Sequence, residues 1–424
     1  MMMSEEFLQF IWKNTLFASQ GLKTTDGREL VILSPGKLNT DAGPDFFNAS
    51  VKIGETLWAG NVEVHLRSSD WLLHGHQSNG AYNNVVLHVV LENDKPVTLP
   101  NGNVLPVFVL RVDTNMLENY NELLAQHTWP ACSRSISMVD EIYRMVAFDA
   151  LLVERLNEKT VGIEKLLNDN RNNWNETFHQ LLARNFGFKT NGLPFEMLAR
   201  CTPLSVLAKH KHNLFQLEAL LFGQSGLLNE ELLGDDYYLN LREEYSYFAR
   251  KYGLKGMEGY LWKFMRLRPA NFPTLRIAQF AALVFKSESL LSKLVEESAL
   301  DKIIDFFDVK ASPYWDTHYR FSLPSPQGEK NLGMASRNNI IINTVAPFLF
   351  LYGERNNIAL LKQRALELLE ALPAEHNNII SRWNEVGIQA HNAFDSQALI
   401  QLKNRYCEPG KCLQCMLITK VISR

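Results

Sequence analysis

Apolar side chains alternate with polar ones along the first hundred residues, and the period of that alternation changes twice. Residues 5–17 place Phe7, Leu8, Ile11, Trp12 and Phe17 at helical spacing, with Ser4 ahead of them as an N-cap, which predicts a first helix. Residues 29–33, 46–53, 57–66, 84–91 and 104–112 are rich in β-branched and aromatic side chains and are separated by turn residues such as Gly54-Glu55 and Pro100-Asn101-Gly102, which predicts five strands. In the third run Val62, Val64 and Leu66 alternate with Asn61, Glu63, His65 and Arg67, so a period of two sends Glu63 and His65 to the same face. The fourth run, VVLHVVL, is apolar on both faces except at His88, as in a strand covered on both sides.

From about residue 113 the texture becomes helical. Stretches such as 139–156, 175–186, 273–285, 338–352 and 357–371 repeat apolar residues every three or four positions. The fold class expected is therefore α+β: a mixed β-sheet domain over 1–130, then a mostly α-helical domain over 131–424 that ends in a cysteine cluster. A boundary is expected near 114–130, where the periodicity weakens, and residues 310–334 read as a long irregular loop.

Composition adds limits rather than direction. In 424 residues, 46% are hydrophobic and 21% charged, ordinary for a globular chain, and the formal net charge of −3 gives no basic field over the whole molecule. Any nucleic-acid contact therefore has to come from a local patch. The acidic start MMMSEEFLQF has no basic leader followed by an apolar core, and no apolar run is long enough to span a bilayer, so no membrane partner and a cytoplasmic location are expected. The chain has no phosphate-binding glycine loop, no G-x-S-x-G elbow and no H-E-x-x-H, which removes ATP, dinucleotide and serine-hydrolase chemistry from consideration.

The densest chemistry lies in residues 41–92. Asp45 opens one predicted strand and Glu63 lies on the next, and antiparallel pairing would bring the two carboxylates within reach of one cation, as a Mg²⁺ or Mn²⁺ site requires. His74 and His76 form an H-x-H that, with His65, His88 and Asp70, offers nitrogen ligands for Zn²⁺ or another transition metal. The competing reading makes Glu63 and His65 the solvent face of an amphipathic strand and His88 a hydrogen-bonded core histidine.

Pro44-Asp45 followed by Glu63-Val64-His65 on a strand, after a helix bearing Glu5 and Glu6, resembles the signature of the PD-(D/E)xK nuclease superfamily. That resemblance implies a nuclease-like mixed sheet and a metal-dependent phosphodiesterase acting on nucleic acid. Asp45 and Glu63 would hold the metal, Glu5 or Glu6 would complete the set, and His65 stands where the superfamily has lysine. A silent nuclease-like binding scaffold and a zinc-dependent hydrolase of a small substrate are the alternatives. Through GPDFFNA, GNVEVHLRSSDW, HGH, YNNVVLHVV, RPANFP and the terminal cysteines, the whole chain also resembles a bacterial family defined by a domain of unknown function.

Two further constellations stand apart. Cys407, Cys412 and Cys415 form C-x₄-C-x₂-C, three ligands for zinc or an iron-sulfur cluster, with Cys132, Cys201 or His391 available as the fourth. Residues 255–276 interleave basic and aromatic side chains, and Arg266, Arg268 and Arg276 read either as a nucleic-acid contact or as the solvated face of a helix.

Overall fold

Ser4 opens the first helix as expected: its Oγ accepts from the Phe7 N–H at 3.2 Å, and α1 (Glu5–Lys13) follows with Phe7, Leu8, Phe10, Ile11 and Trp12 buried. Glu5 and Gln9 are four residues apart and share the one polar edge of this helix that faces the sheet. The computed structural model describes residues 3–126, 128–228, 234–287 and 289–423. The chain forms two units. One comprises the polypeptide up to residue 147 with 385–388 and 402 onward; the other comprises 148–384 and 389–401.

The first unit is built on a mixed sheet of β1 (Leu30–Ser34), β2 (Lys37–Leu38), β3 (Phe46–Ile53), β4 (Thr56–Arg67), β5 (Val85–Glu92) and β6 (Val107–Val109). The order is β1-β3-β4-β5-β6, with β2 paired to the other end of β3. β1 and β4 each pair antiparallel with β3, whereas β4, β5 and β6 are parallel. A parallel neighbour cannot be reached by a hairpin, so residues 68–84 must cross over. They do so without a long helix, using α2 (Asp70–Leu73) and two single turns, His76–Ser78 and Gly80–Tyr82. Trp71 anchors this crossover: its ring is fully buried beside Tyr82, Val85 and Val90, and its Nε1 donates to the Thr98 carbonyl at 3.1 Å.

The second unit is helical, including Trp174–Phe186, Pro273–Lys286 and Ala359–Ala371. Three departures from the expected elements have physical causes. Residues 114–125, read as a weakening boundary, form the helix α3 (Thr114–Ala125), whose N-terminus is capped by the Asp113 carboxylate. The stretch 338–352 is helical but widens into a π-turn, Ile341–Val345, just before Pro347, which has no N–H to give to a regular helix. The segment 310–334 is less irregular than expected, since His318–Arg320 and Leu323–Pro324 pair antiparallel. The division between units falls at residue 147, and the cysteine-bearing tail belongs to the sheet unit instead of ending the helical one. The helix expected over 230–252 is Asp236–Tyr252, and residues 230–233 of that expectation lie outside the described residues. Among the described residues no helix is long and apolar enough to cross a membrane.

Candidate metal centre on the central strand

Register places the acids. Phe46 of β3 lies opposite Val62 of β4, so Asp45, one residue before β3, falls beside Glu63. The two strands clasp through these residues. The Asp45 N–H donates to Glu63 Oε2 at 3.0 Å, and the Val64 N–H donates to Asp45 Oδ2 at 2.9 Å. Above them α1 contributes Glu5, which interacts with Glu63 and Asp70, and Gln9, which hydrogen-bonds Asp45. Glu6 faces away, toward Tyr120.

Glu63 and His65 point the same way, with Glu63 Oε1 3.4 Å from His65 Nε2. They are not a solvent face: their relative exposures are 3% and 1%. The period-two reading was right about direction, and the covering helix decides what the face meets. His76, also buried, brings its Nε2 to 3.2 Å from the same Glu63 oxygen. His74 is exposed, and its Nδ1 lies 3.2 Å from His65 Nε2. One ligand nitrogen from each of His65, His74 and His76 falls within 4.8 Å of the other two.

His88 sits behind this group. Its Nε2 is 2.9 Å from His65 Nδ1, and its own Nδ1 is buried with no hydrogen-bond partner. A bare lone pair is cheaper to bury than a bare N–H, so the tautomer that fits has His88 Nε2–H donating to His65 Nδ1. In that tautomer His65 carries its proton on Nε2, toward Glu63 and His74; to offer Nε2 to a metal or a proton it takes the other, with Nδ1–H donating to His88 Nε2. His88 thus behaves as the core histidine that orients His65 and lies outside the group of converging ligand atoms. Asp70 is turned to the backbone, where its Oδ2 accepts from the Arg67 N–H at 2.9 Å.

The electrostatics are one-sided. Burial, then the Glu63 and Glu5 carboxylates, push Asp45 up to about 7 against the pull of the Val64 and Gln9 hydrogen bonds. Burial, with Glu63 and Asp70, also raises Glu5. Burial and the neighbouring imidazoles hold His65 down at about 2, and burial holds His88 at about 3, so neither ring supplies positive charge at neutral pH. Three acids therefore converge where the two deepest bases are neutral. The carboxylates of Asp45 and Glu63 lie beside the nitrogens of His65, His74 and His76, and among the described residues the group whose ligand atoms all fall within 4.8 Å of one another is the three histidines.

The remaining predicted site residues lie elsewhere. Arg276 belongs to the second unit and is buried, with its guanidinium bonded to Asn271, Gln279 and Ser336 and stacked on Phe188, so its charge is engaged within the fold. Arg266 and Arg268 are exposed in the same unit. Cys407, Cys412 and Cys415 are in the first unit together with Cys132, while Cys201 and His391 are in the second. Gln9, Trp71 and Tyr82 were not anticipated: Tyr82 stacks on His76 with ring centroids 3.9 Å apart and holds it against Trp71. Gln9, four residues after Glu5, was the one legible in principle.

No curated protein and no solved structure matches the chain. A family model does, over residues 5–378, and on that match the chain belongs to the family described as "Protein of unknown function (DUF2851)".

Proposed function

We propose that the first unit is a metal-dependent phosphodiesterase acting on nucleic acid, with its site at Asp45, Glu63 and His65. The observation that carries this reading is the reciprocal clasp of Asp45 and Glu63, two acids held side by side with Glu5 above them and neutral histidines beneath. Like charges so close are disfavoured unless one of them takes a proton, as the raised pKa of Asp45 allows, or a cation joins them. The order of elements supports it as well: a helix, then the acid entering β3 and Glu-x-His on β4 of a mixed sheet follow the nuclease-like resemblance, while the crossover to the parallel strand departs from it in having no long helix.

A divalent cation there would polarise a phosphoryl oxygen and lower the pKa of a bound water. Asp45 and Glu63 would hold it, and the mixed oxygen and nitrogen donors suit Mn²⁺ better than Mg²⁺. His65 is neutral, and in its other tautomer, with Nδ1–H donating to His88 Nε2, its Nε2 lone pair would be free to take the proton of an attacking water, a role that a protonated lysine in its place could not fill. Water would add to phosphorus and give up one proton to His65, one P–O ester bond would break, and the leaving oxygen would take a proton back and depart as an alcohol.

The converging nitrogens of His65, His74 and His76 favour a second reading, hydrolysis of a small substrate at a histidine-bound zinc. Cleavage of labelled single- and double-stranded DNA and RNA separates the two, using wild type and Glu63→Gln with Mg²⁺, Mn²⁺, Zn²⁺ or EDTA. Metal-dependent cleavage that disappears in the folded variant supports the nuclease reading. No cleavage under any condition, or equal cleavage by Glu63→Gln, overturns it.

A further inference from the structure

Four of the five cysteines belong to the first unit, although they come from two stretches separated in sequence by the whole of the second. Cys132 lies in a coiled loop after α3, its carbonyl accepting from the N–H groups of Ser135 and Ile136 at 3.0 and 2.9 Å. Cys407 ends the π-turn Lys403–Cys407, after which the chain reverses. The reversal uses Gly410 at φ 70°, with the Gly410 N–H donating to the Cys407 carbonyl at 3.3 Å and the Lys411 N–H to that of Tyr406 at 2.8 Å. A single turn, Cys412–Gln414, then presents the last pair, with the Cys415 N–H bonded to the Cys412 carbonyl at 3.0 Å.

The two stretches are moored to each other, from either side of Cys132 to the tail just beyond Cys415. Asn119 of α3 donates through Nδ2 to the Ile422 carbonyl at 3.0 Å, and the Lys420 ammonium lies 3.9 Å from the ring centroid of Tyr143. The thiols also sense one another. Burial first, then Cys415 and Cys412, push Cys132 up to about 12. Burial, then Cys415, Cys132 and Cys412, raise Cys407, with Lys403 opposing. Cys415 is pushed up to about 11 by burial and by Cys412. None of the four is in a disulfide. Cys201 shows no such coupling to another cysteine; its Sγ–H donates to the Leu198 carbonyl at 3.3 Å within its own helix.

We propose that Cys132, Cys407, Cys412 and Cys415 form a four-thiolate site for a thiophilic metal centre, with Cys132 as the ligand that the terminal C-x₄-C-x₂-C lacks. Four half-buried thiols of one unit, none in a disulfide, are a ligand set that a soft cation suits. A set of four cysteines leaves no open position for substrate, so the centre is structural. It fastens the loop after α3 to the C-terminal tail and closes the sheet unit across the long excursion of the chain. A zinc ion and an iron-sulfur cluster share this ligand chemistry; among the described residues no three of these sulfurs lie within 4.8 Å of one another, so a single zinc ion would have to draw them together, whereas a cluster spans a wider set.

The full-length protein, purified without oxygen, is assayed for zinc, iron and acid-labile sulfide, and after metal removal is loaded with Co²⁺. Thiolate-to-cobalt charge transfer reports this site alone, because the histidine-carboxylate centre cannot produce it. The expected result is zinc, or iron with matching sulfide, in the wild type and in Cys201→Ser, with loss of the metal and weakening of the cobalt-thiolate band in Cys132→Ser and Cys415→Ser. Thiol reactivity of the unmutated protein guards against a variant that merely misfolds: added zinc should slow the reaction of four thiols with a disulfide reagent by tenfold or more. A cobalt-thiolate band of wild-type intensity in Cys132→Ser overturns the proposal. So does a wild type with no thiolate-bound metal whose thiols react equally fast with and without zinc.

Discussion

Asp45 and Glu63 hold each other in place through the backbone: the N–H of one acid binds the carboxylate of the other, and the carboxylate of the first binds the amide that follows the second. The arrangement sets both side chains without placing a cation between them. A bound divalent ion should therefore add stability directly. At a concentration 100-fold above its Kd, Mn²⁺ should contribute about 2.7 kcal/mol and raise the Tm of the first unit by roughly 5–10 °C. Glu63→Gln should abolish that rise, and a variant that keeps the full Mn²⁺ shift would remove Glu63 from the ligand set. Differential scanning fluorimetry with and without EDTA makes the comparison.

The two histidines of the H-x-H motif should separate in their effects. His76 is buried, stacked on Tyr82 and edge-on to Trp71, so His76→Ala opens the crossover packing as well as the site, at a cost of about 1–3 kcal/mol. His74 is exposed, and His74→Ala should leave stability within about 0.5 kcal/mol of wild type. Both should weaken Zn²⁺ binding, measured by calorimetry. Unchanged Zn²⁺ affinity in both variants would exclude the histidine trio as a ligand set.

Gly60 of β4 leaves no room for a side chain against the start of β5. A Cβ there would lie 2.4 Å from Val86 Cγ1 and 2.6 Å from the Asn84 carbonyl oxygen, and the backbone oxygen cannot swing aside. Gly60→Ala should destabilise the sheet unit by about 1–3 kcal/mol through overpacking, seen as a lower urea midpoint. A midpoint equal to that of wild type would mean that the strands can part without cost.

Much of this architecture was legible in the sequence because it depends on local pattern. Ser4 declared the helix start, residues 46–53 bounded β3 correctly, and alternation along β4 set Glu63 and His65 on one face. The same alternation was silent on whether that face met water. The answer came from α1, whose Glu5 and Gln9 lie over the acids, and a contact between residues 5 and 63 leaves no trace in periodicity. Choosing Glu5 over Glu6 needed the helix phase relative to the sheet. That Cys132 shares a unit with the terminal thiols was hidden for the same reason, since only the fold of the sheet unit joins the two stretches.

Glu218, in the second unit, gives a pH dependence independent of any metal. It lies on the helix Leu214–Gln224, fully buried, and accepts hydrogen bonds from Tyr237 and, at 3.2 Å, from Ser312. Burial outweighs those bonds and pushes the carboxyl up to about 7 from 4.5. The folded state therefore keeps the proton to about pH 7, whereas the unfolded chain releases it near 4.5. Between these values the unfolded state binds fewer protons than the folded one, so this group's contribution falls as pH rises through the window and levels off above it. At about 1.4 kcal/mol per unit, the loss is about 3 kcal/mol across the window. Glu218→Gln keeps an acceptor for the Tyr237 hydroxyl but has no proton to lose. The variant should match wild type near pH 4.5 and be the more stable of the two near pH 8. Urea unfolding at a series of pH values, followed by the fluorescence of buried Trp315, would show it; parallel stability curves for the two proteins would mean that Glu218 is already ionised in the fold at pH 5.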